Sequence, residues 1–141
     1  MKAGNIMETK EVLTPQEIID LAQNIINRYS LDYDNAEVEL FENDVLAIMV
    51  EASNYAIVEV TIDLSDWVLE DKKMVQKIIL RAIADEIRKF NADDEFDEIW
   101  SIEFGRHNGF RASEFIQMLQ EDEADFKERA VRMYKEAINL D

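Results

Sequence analysis

The chain has 141 residues, no cysteine, and a formal net charge of −17 from fifteen basic and thirty-two acidic side chains. Its length suits one domain with a real core, and the lack of cysteine removes any disulfide framework or thiolate metal site. The charge argues against direct contact with nucleic acid or an anionic membrane and favours a basic partner.

One proline and three glycines leave no low-complexity linker to divide the chain. Met1 to Leu13 shows little periodicity and is expected to be a mobile arm, with Met7 as a second plausible start. That arm lacks the apolar stretch of a signal peptide, and the longest apolar run, Val45 to Val50, is too short to span a bilayer. A soluble protein of a bacterial host cytoplasm is the expectation, with residues 14–141 forming a single α+β domain.

Thr14-Pro15-Gln16-Glu17 carries a helix start signal. Thr14 caps, Pro15 suits the first helical position, and Glu17 completes a capping box. Ile18, Leu21, Ala22, Ile25, Ile26 and Tyr29 then give that helix an apolar face down to about Arg28 or Tyr29. Ser30 to Asp34 is a polar, acidic connection.

Asn35 to Leu64 reads as a three-stranded antiparallel meander. In Glu37 to Glu42, Val38 and Leu40 alternate with acids, the period of a half-buried strand. Asn43-Asp44 is turn chemistry. Val45 to Ala52 is apolar on both faces, which predicts a central strand covered on both sides or nearly so. Ser53-Asn54 is the next turn, and Tyr55 to Leu64 alternates again, with Val58, Val60, Ile62 and Leu64 on one face.

Ser65 or Asp66 is placed to cap an early turn, and Trp67 reads as a lid on the core in preference to a partner anchor. Met74 to Phe90 is the expected covering helix, its stripe made by Val75, Ile79, Ala82, Ile83, Ile87 and Phe90. Asn91 to Phe104 follows as a helix with Phe96, Ile99, Trp100 and Phe104 on one face. Gly105 to Gly109 is read as an inter-helix turn. It holds the only histidine, His107, but no serine elbow, second histidine or phosphate-cradling glycine pattern accompanies it.

The sequence then predicts two more helices. The first starts near Arg111 with Ser113 as cap and carries Phe115, Ile116 and Leu119. Glu121 to Asp125 places four acids in five positions, and the last helix follows with Phe126, Ala130, Met133, Tyr134, Ala137 and Ile138 on one side. Neither acid cluster has the spacing of a calcium-binding loop.

Between Asn91 and Glu128 there are twelve acids and three bases, which gives −9 of the −17. Duplex DNA offers one negative charge per roughly 1.7 Å of axis, so an acidic helical ridge of this kind is a candidate mimic of it. The candidate partner-binding residues are Asp93, Asp94, Asp97, Glu98, Glu121, Asp122, Glu123 and Asp125. The opposing reading is that these acids only keep the protein soluble.

The stretch Asp94 to Ser101, followed by Ser113 to Asp122, resembles a segment that recurs in small acidic proteins of bacteriophages and mobile elements. In size, charge and lack of a catalytic signature the whole chain resembles the phage-encoded anti-CRISPR inhibitors of RNA-guided nucleases. That resemblance implies a non-enzymatic inhibitor, without cofactor or metal, whose partner is an effector nuclease with an Arg- and Lys-rich channel. A phage or mobile-element adaptor or structural protein is the alternative, and a carboxylate-using hydrolase a third.

Overall fold

The computed structural model describes residues 13–31, 36–53, 56–64, 71–102 and 111–140, without the side chains of 51–53, 56 and 98–102. The expected arm, the Ser65/Asp66 cap, Trp67 and the Gly105 to Gly109 turn with His107 lie outside those residues, apart from Leu13, which is buried.

Helix α1 (Pro15–Arg28) forms where the apolar period and the start signal agree. Thr14 Oγ1 accepts from the Glu17 N–H at 3.1 Å, and the Glu17 carboxylate accepts from the Thr14 N–H at 2.8 Å. Two otherwise orphaned donors are thus satisfied reciprocally. The helix ends at Ser30, which takes φ 55°. There the Ser30 N–H donates to the Asn27 carbonyl and the Leu31 N–H to the Ile26 carbonyl, at 3.3 and 2.9 Å. These bonds define a Schellman motif, with serine at the left-handed position that favours glycine. Leu31 is fully buried, which anchors the turn.

The sheet is an antiparallel meander of β1 (Glu37–Leu40), β2 (Val45–Ser53) and β3 (Ala56–Asp63), in that spatial order. Ile48 pairs with Val38 on one side and Val60 on the other. Asp44 turns the first hairpin at φ 59°, a conformation that aspartate tolerates better than most residues. Leu46, Ile48, Val50, Val58, Val60 and Ile62 are buried, and Glu37, Glu39, Glu59 and Thr61 are exposed.

On β2 the expected coverage of both sides, or nearly so, takes its second form: Leu46, Ile48 and Val50 are buried, while Val45, Ala47 and Met49 on the other face are half-buried. An apolar run records a central position in the sheet as readily as double coverage.

Helix α2 (Lys72–Arg88) is capped by Asp71, whose carboxylate accepts from the Lys73 N–H at 2.9 Å. Its buried stripe is Val75, Ile79, Leu80, Ile83, Ala84 and Ile87. Leu80 and Ala84 widen the predicted stripe, and Ala82 moves to its half-buried margin. Phe90 lies just past the helix and meets Phe126 edge-on, with ring centroids 5.3 Å apart.

Helix α3 (Ala92–Ile102) is capped by Asn91, whose side-chain oxygen accepts from the Asp93 and Asp94 N–H groups. Helix α4 (Ala112–Asn139) is one uninterrupted element of 28 residues, about 42 Å long. The two helices predicted here are therefore one. Neither glycine nor proline occurs across Glu121 to Asp125, and acids are adequate helix formers when they face solvent. The stripe Phe115, Leu119, Phe126, Ala130, Met133 and Ala137 runs through at helical spacing, all of it buried. Ser113 is not the cap. Arg111 holds that position, and its N–H donates to the Glu114 carboxylate at 3.2 Å.

Buried side chains from α1, α2, α4 and the sheet join in one hydrophobic cluster. The N-terminal half of α4 lies along α3 and its C-terminal half along α2, so α4 is the spine of the helical layer.

Candidate partner-binding surface

Helices α3 and α4 run antiparallel, with Ala92 beside Glu123 and Phe96 beside Phe115 at 6.0 Å between ring centroids. The start of α3 thus stands beside the middle of α4. Asp93, Asp94, Asp97, Glu121 and Asp125 are all exposed, but Glu121 and Asp125 lie two positions either side of the inward-turned Glu123 and so point away from α3, which leaves the two acid clusters on different faces. The carboxylates at the start of α3 also face the positive end of its dipole, which favours them there.

Three of the eight candidates behave differently. Glu123 is half-buried, accepting from the Ala92 N–H at 2.9 Å and from Lys127 Nζ at 2.7 Å. The bond from Lys127, and then that from Ala92, hold its carboxyl below the usual carboxylate range. Its place in the stripe, between Leu119 and Phe126, explains why: a carboxylate there completes the capping of α3. Asp122 is half-buried, and the Glu98 side chain lies outside the described residues.

A second polar cluster joins three helices at the far end of α4. Glu136 accepts from Arg28 Nη1 at 2.5 Å, from the Tyr29 hydroxyl at 2.6 Å and from Gln76 Nε2 at 2.9 Å. Burial alone would raise the Glu136 carboxyl, but the bonds from Arg28, Tyr29 and Gln76 outweigh it and hold it low. Burial, reinforced by Glu136, pushes the Tyr29 phenol up to about 12. The guanidinium groups of Arg28 and Arg132 lie 5.6 and 5.7 Å from the Tyr29 ring centre. Beside the cluster, a cleft of about 340 Å³ is lined by Glu17, Asp20, Leu21, Asn24, Arg28, Lys72 and Gln76. Its charged groups are largely engaged already, Glu17 in its cap and Arg28 with Glu136.

Sequence reasoning overlooked the charge of the meander. Between Arg28 and Lys72 there are twelve acids and no lysine, arginine or histidine. Within the sheet Glu37, Glu39 and Glu59 are exposed on the face that the helices leave open, around half-buried Val45, Ala47 and Met49. The signal was present as a run of 43 residues without a cation, but strand periodicity drew attention to the apolar positions. By contrast, Lys72 to Phe90 holds six cations and two acids, so α2 is the basic element of an acidic molecule.

Among the described residues no three Asp, Glu or His side chains are grouped closely enough to share a metal ion, and no helix is long and apolar enough to cross a membrane. Comparison with protein-family models, curated proteins and solved structures found no match.

Proposed function

We propose that this chain is a non-enzymatic binding protein whose carboxylate surface engages a basic, nucleic-acid-binding partner. Following the resemblance drawn from the sequence, that partner is an RNA-guided nuclease of the CRISPR type, and the protein inhibits it by occupying a basic channel or blocking its activation. What supports this reading is the excess of acids from Asn91 to Glu128, −9 of the chain's −17, with Asp93, Asp94, Asp97, Glu121 and Asp125 each exposed. Such carboxylates offer a groove evolved for phosphates an array of negative charge. Complementary fields of this sort act chiefly on the rate of association and on selectivity.

The test is DNA cleavage by purified effectors, with the wild-type chain and a variant carrying lysine at those five positions. Exposed ion pairs contribute about 0.2 to 1 kcal/mol each. Five of them together contribute about 1 to 5 kcal/mol, so inhibition should weaken at least about fivefold at low salt, with the circular dichroism spectrum unchanged. Equal potency of the variant would remove these residues from the interface. Failure to inhibit any effector, with pull-down returning phage structural or replication proteins, would favour the adaptor reading instead.

A further inference from the structure

The register of the meander sorts its side chains onto two faces. Leu46, Ile48 and Val50 of β2 turn inward and belong to the core cluster. On the other face Glu37, Met49 and Glu59 stand in one row across the strands, Glu39, Ala47 and Thr61 in the next, and Val45 in the row beyond. An antiparallel sheet that shows one face to water ordinarily alternates apolar with polar residues along each strand. β1 and most of β3 do so. β2 does not, since Val45, Ala47 and Met49 stand where polar side chains are expected.

Two large apolar side chains extend this strip at its ends. Phe41, 50% exposed, follows β1 at the first hairpin, where its N–H donates to the Val45 carbonyl at 2.9 Å. Ile57, 56% exposed, lies on β3 one row past Met49 on the same face. Phe41, Val45, Ala47, Met49 and Ile57 thus form an apolar diagonal from the end of β1 to the start of β3, about 20 Å long measured along the strands. Single exposed apolar residues are ordinary, whereas a continuous strip marks an interaction surface. Its flanks are anionic, with Glu37 and Glu39 on one side and Glu59 on the other. All three are exposed and, among the described residues, in no ion pair.

We propose that this face receives a cationic amphipathic helix of a partner protein, its apolar stripe laid along the diagonal from Phe41 to Ile57 and its lysines or arginines on both margins of the stripe. A helix of about 14 residues, four turns, covers that length. The stems of its cations lie over the sheet while their heads reach Glu37 and Glu39 on one side and Glu59 on the other. Met49, at the centre, is unbranched and adapts to whatever is laid on it. Charge selects this occupant: a nucleic acid, an anionic membrane or a second copy of this chain, itself −17, would bring more negative charge to the same carboxylates. The surface is separate from the acids of α3 and α4 and does not depend on the function proposed for them.

The probe is a peptide of that length made of leucine, alanine and lysine, with leucines at helical spacing on one stripe and lysines at both margins. Its control has the same composition with the leucines spread around the helix. In fluorescence anisotropy against the full chain, the patterned peptide should bind about tenfold or more tightly than the control. Hydrogen exchange should slow over β1 to β3 when it binds. Phe41→Lys with Ile57→Lys, both at exposed positions, should weaken binding about tenfold with an unchanged circular dichroism spectrum. Replacing Glu37, Glu39 and Glu59 by glutamine should weaken it about fivefold and flatten its salt dependence, which decides the matter if the lysine variant misfolds. Equal affinity for the two peptides, exchange slowed on α3 and α4 in place of the sheet, or full affinity in either folded variant would overturn the proposal. A dimer that excludes the peptide would give the face to a second copy and overturn it likewise.

Discussion

Replacing Glu136 by alanine removes the acceptor on which α1, α2 and α4 converge. Arg28 is 40% exposed at its side chain and rehydrates once its partner is gone, so its share of the loss is small, about 0 to 1 kcal/mol. Tyr29 and Gln76 are sheltered, and each loses a bond to a charged group, an interaction that contributes about 1.5 to 3 kcal/mol when buried. The Arg132 carbonyl, 3.5 Å from the Tyr29 hydroxyl, offers a partial replacement. The net expectation is a loss of about 2 to 4 kcal/mol, a fall in Tm of roughly 6 to 12 °C for a chain of this size. Glu136→Gln keeps the shape and one acceptor, and should lose about half as much. Urea unfolding followed by circular dichroism measures both. In a double-mutant cycle, Tyr29→Phe and Glu136→Ala should couple by about 1 kcal/mol or more. If Glu136→Ala unfolds at the wild-type midpoint, the carboxylate does not tie the three helices together in solution.

The continuity of α4 is tested at Ala124, an exposed position in its middle: Ala124→Pro should cost about 3 kcal/mol or more and Ala124→Gly about 1 kcal/mol, whereas a break at that point would accept proline readily. Ser30→Gly should raise stability by about 0.5 to 1 kcal/mol in the same unfolding assay, because it relieves a left-handed serine in the motif that ends α1. At acid pH the folded carboxyls of Glu123 and Glu136 take up protons only below the ordinary range. The unfolded chain then binds more protons, so their contribution is present above about pH 4.3 and lost as pH falls through the folded values; Glu136→Gln should flatten that limb of a midpoint-versus-pH curve. At alkaline pH the sign reverses for Tyr29, pushed up to about 12. Its contribution should be intact below about pH 10, the ordinary phenol value, and should decline as pH rises through the folded one, a decline that Tyr29→Phe abolishes.

The sheet, α1 and α2 were legible because each carries one uninterrupted period and its ends are marked by local chemistry: Thr14 with Glu17 and Asn43 with Asp44. α4 was misread because Glu121 to Asp125 breaks the apolar stripe without breaking the backbone preference for helix. The missing apolar residue of that turn is replaced by Glu123, which is turned inward to the Ala92 N–H. No one-dimensional pattern shows that a carboxylate serves a neighbouring helix 31 positions away. The same limit hid the Glu136 cluster, since Arg28 and Gln76 look like ordinary solvated residues until three elements meet. The candidate ridge was legible as composition. The withdrawal of Glu123 from the exposed set depended on how α3 folds back along α4.

The bond between Tyr29 and Glu136 spans 107 positions of a 141-residue chain. During synthesis the first helix emerges 107 positions before the carboxylate that secures it. Local helices and hairpins form quickly, whereas a contact of such long sequence separation must await closure of a large loop. The buried face of α1 and the inner face of the sheet therefore wait, while the intervening residues are made, without the helix that covers them. Consolidation comes only when α4 has emerged and swings in against α1.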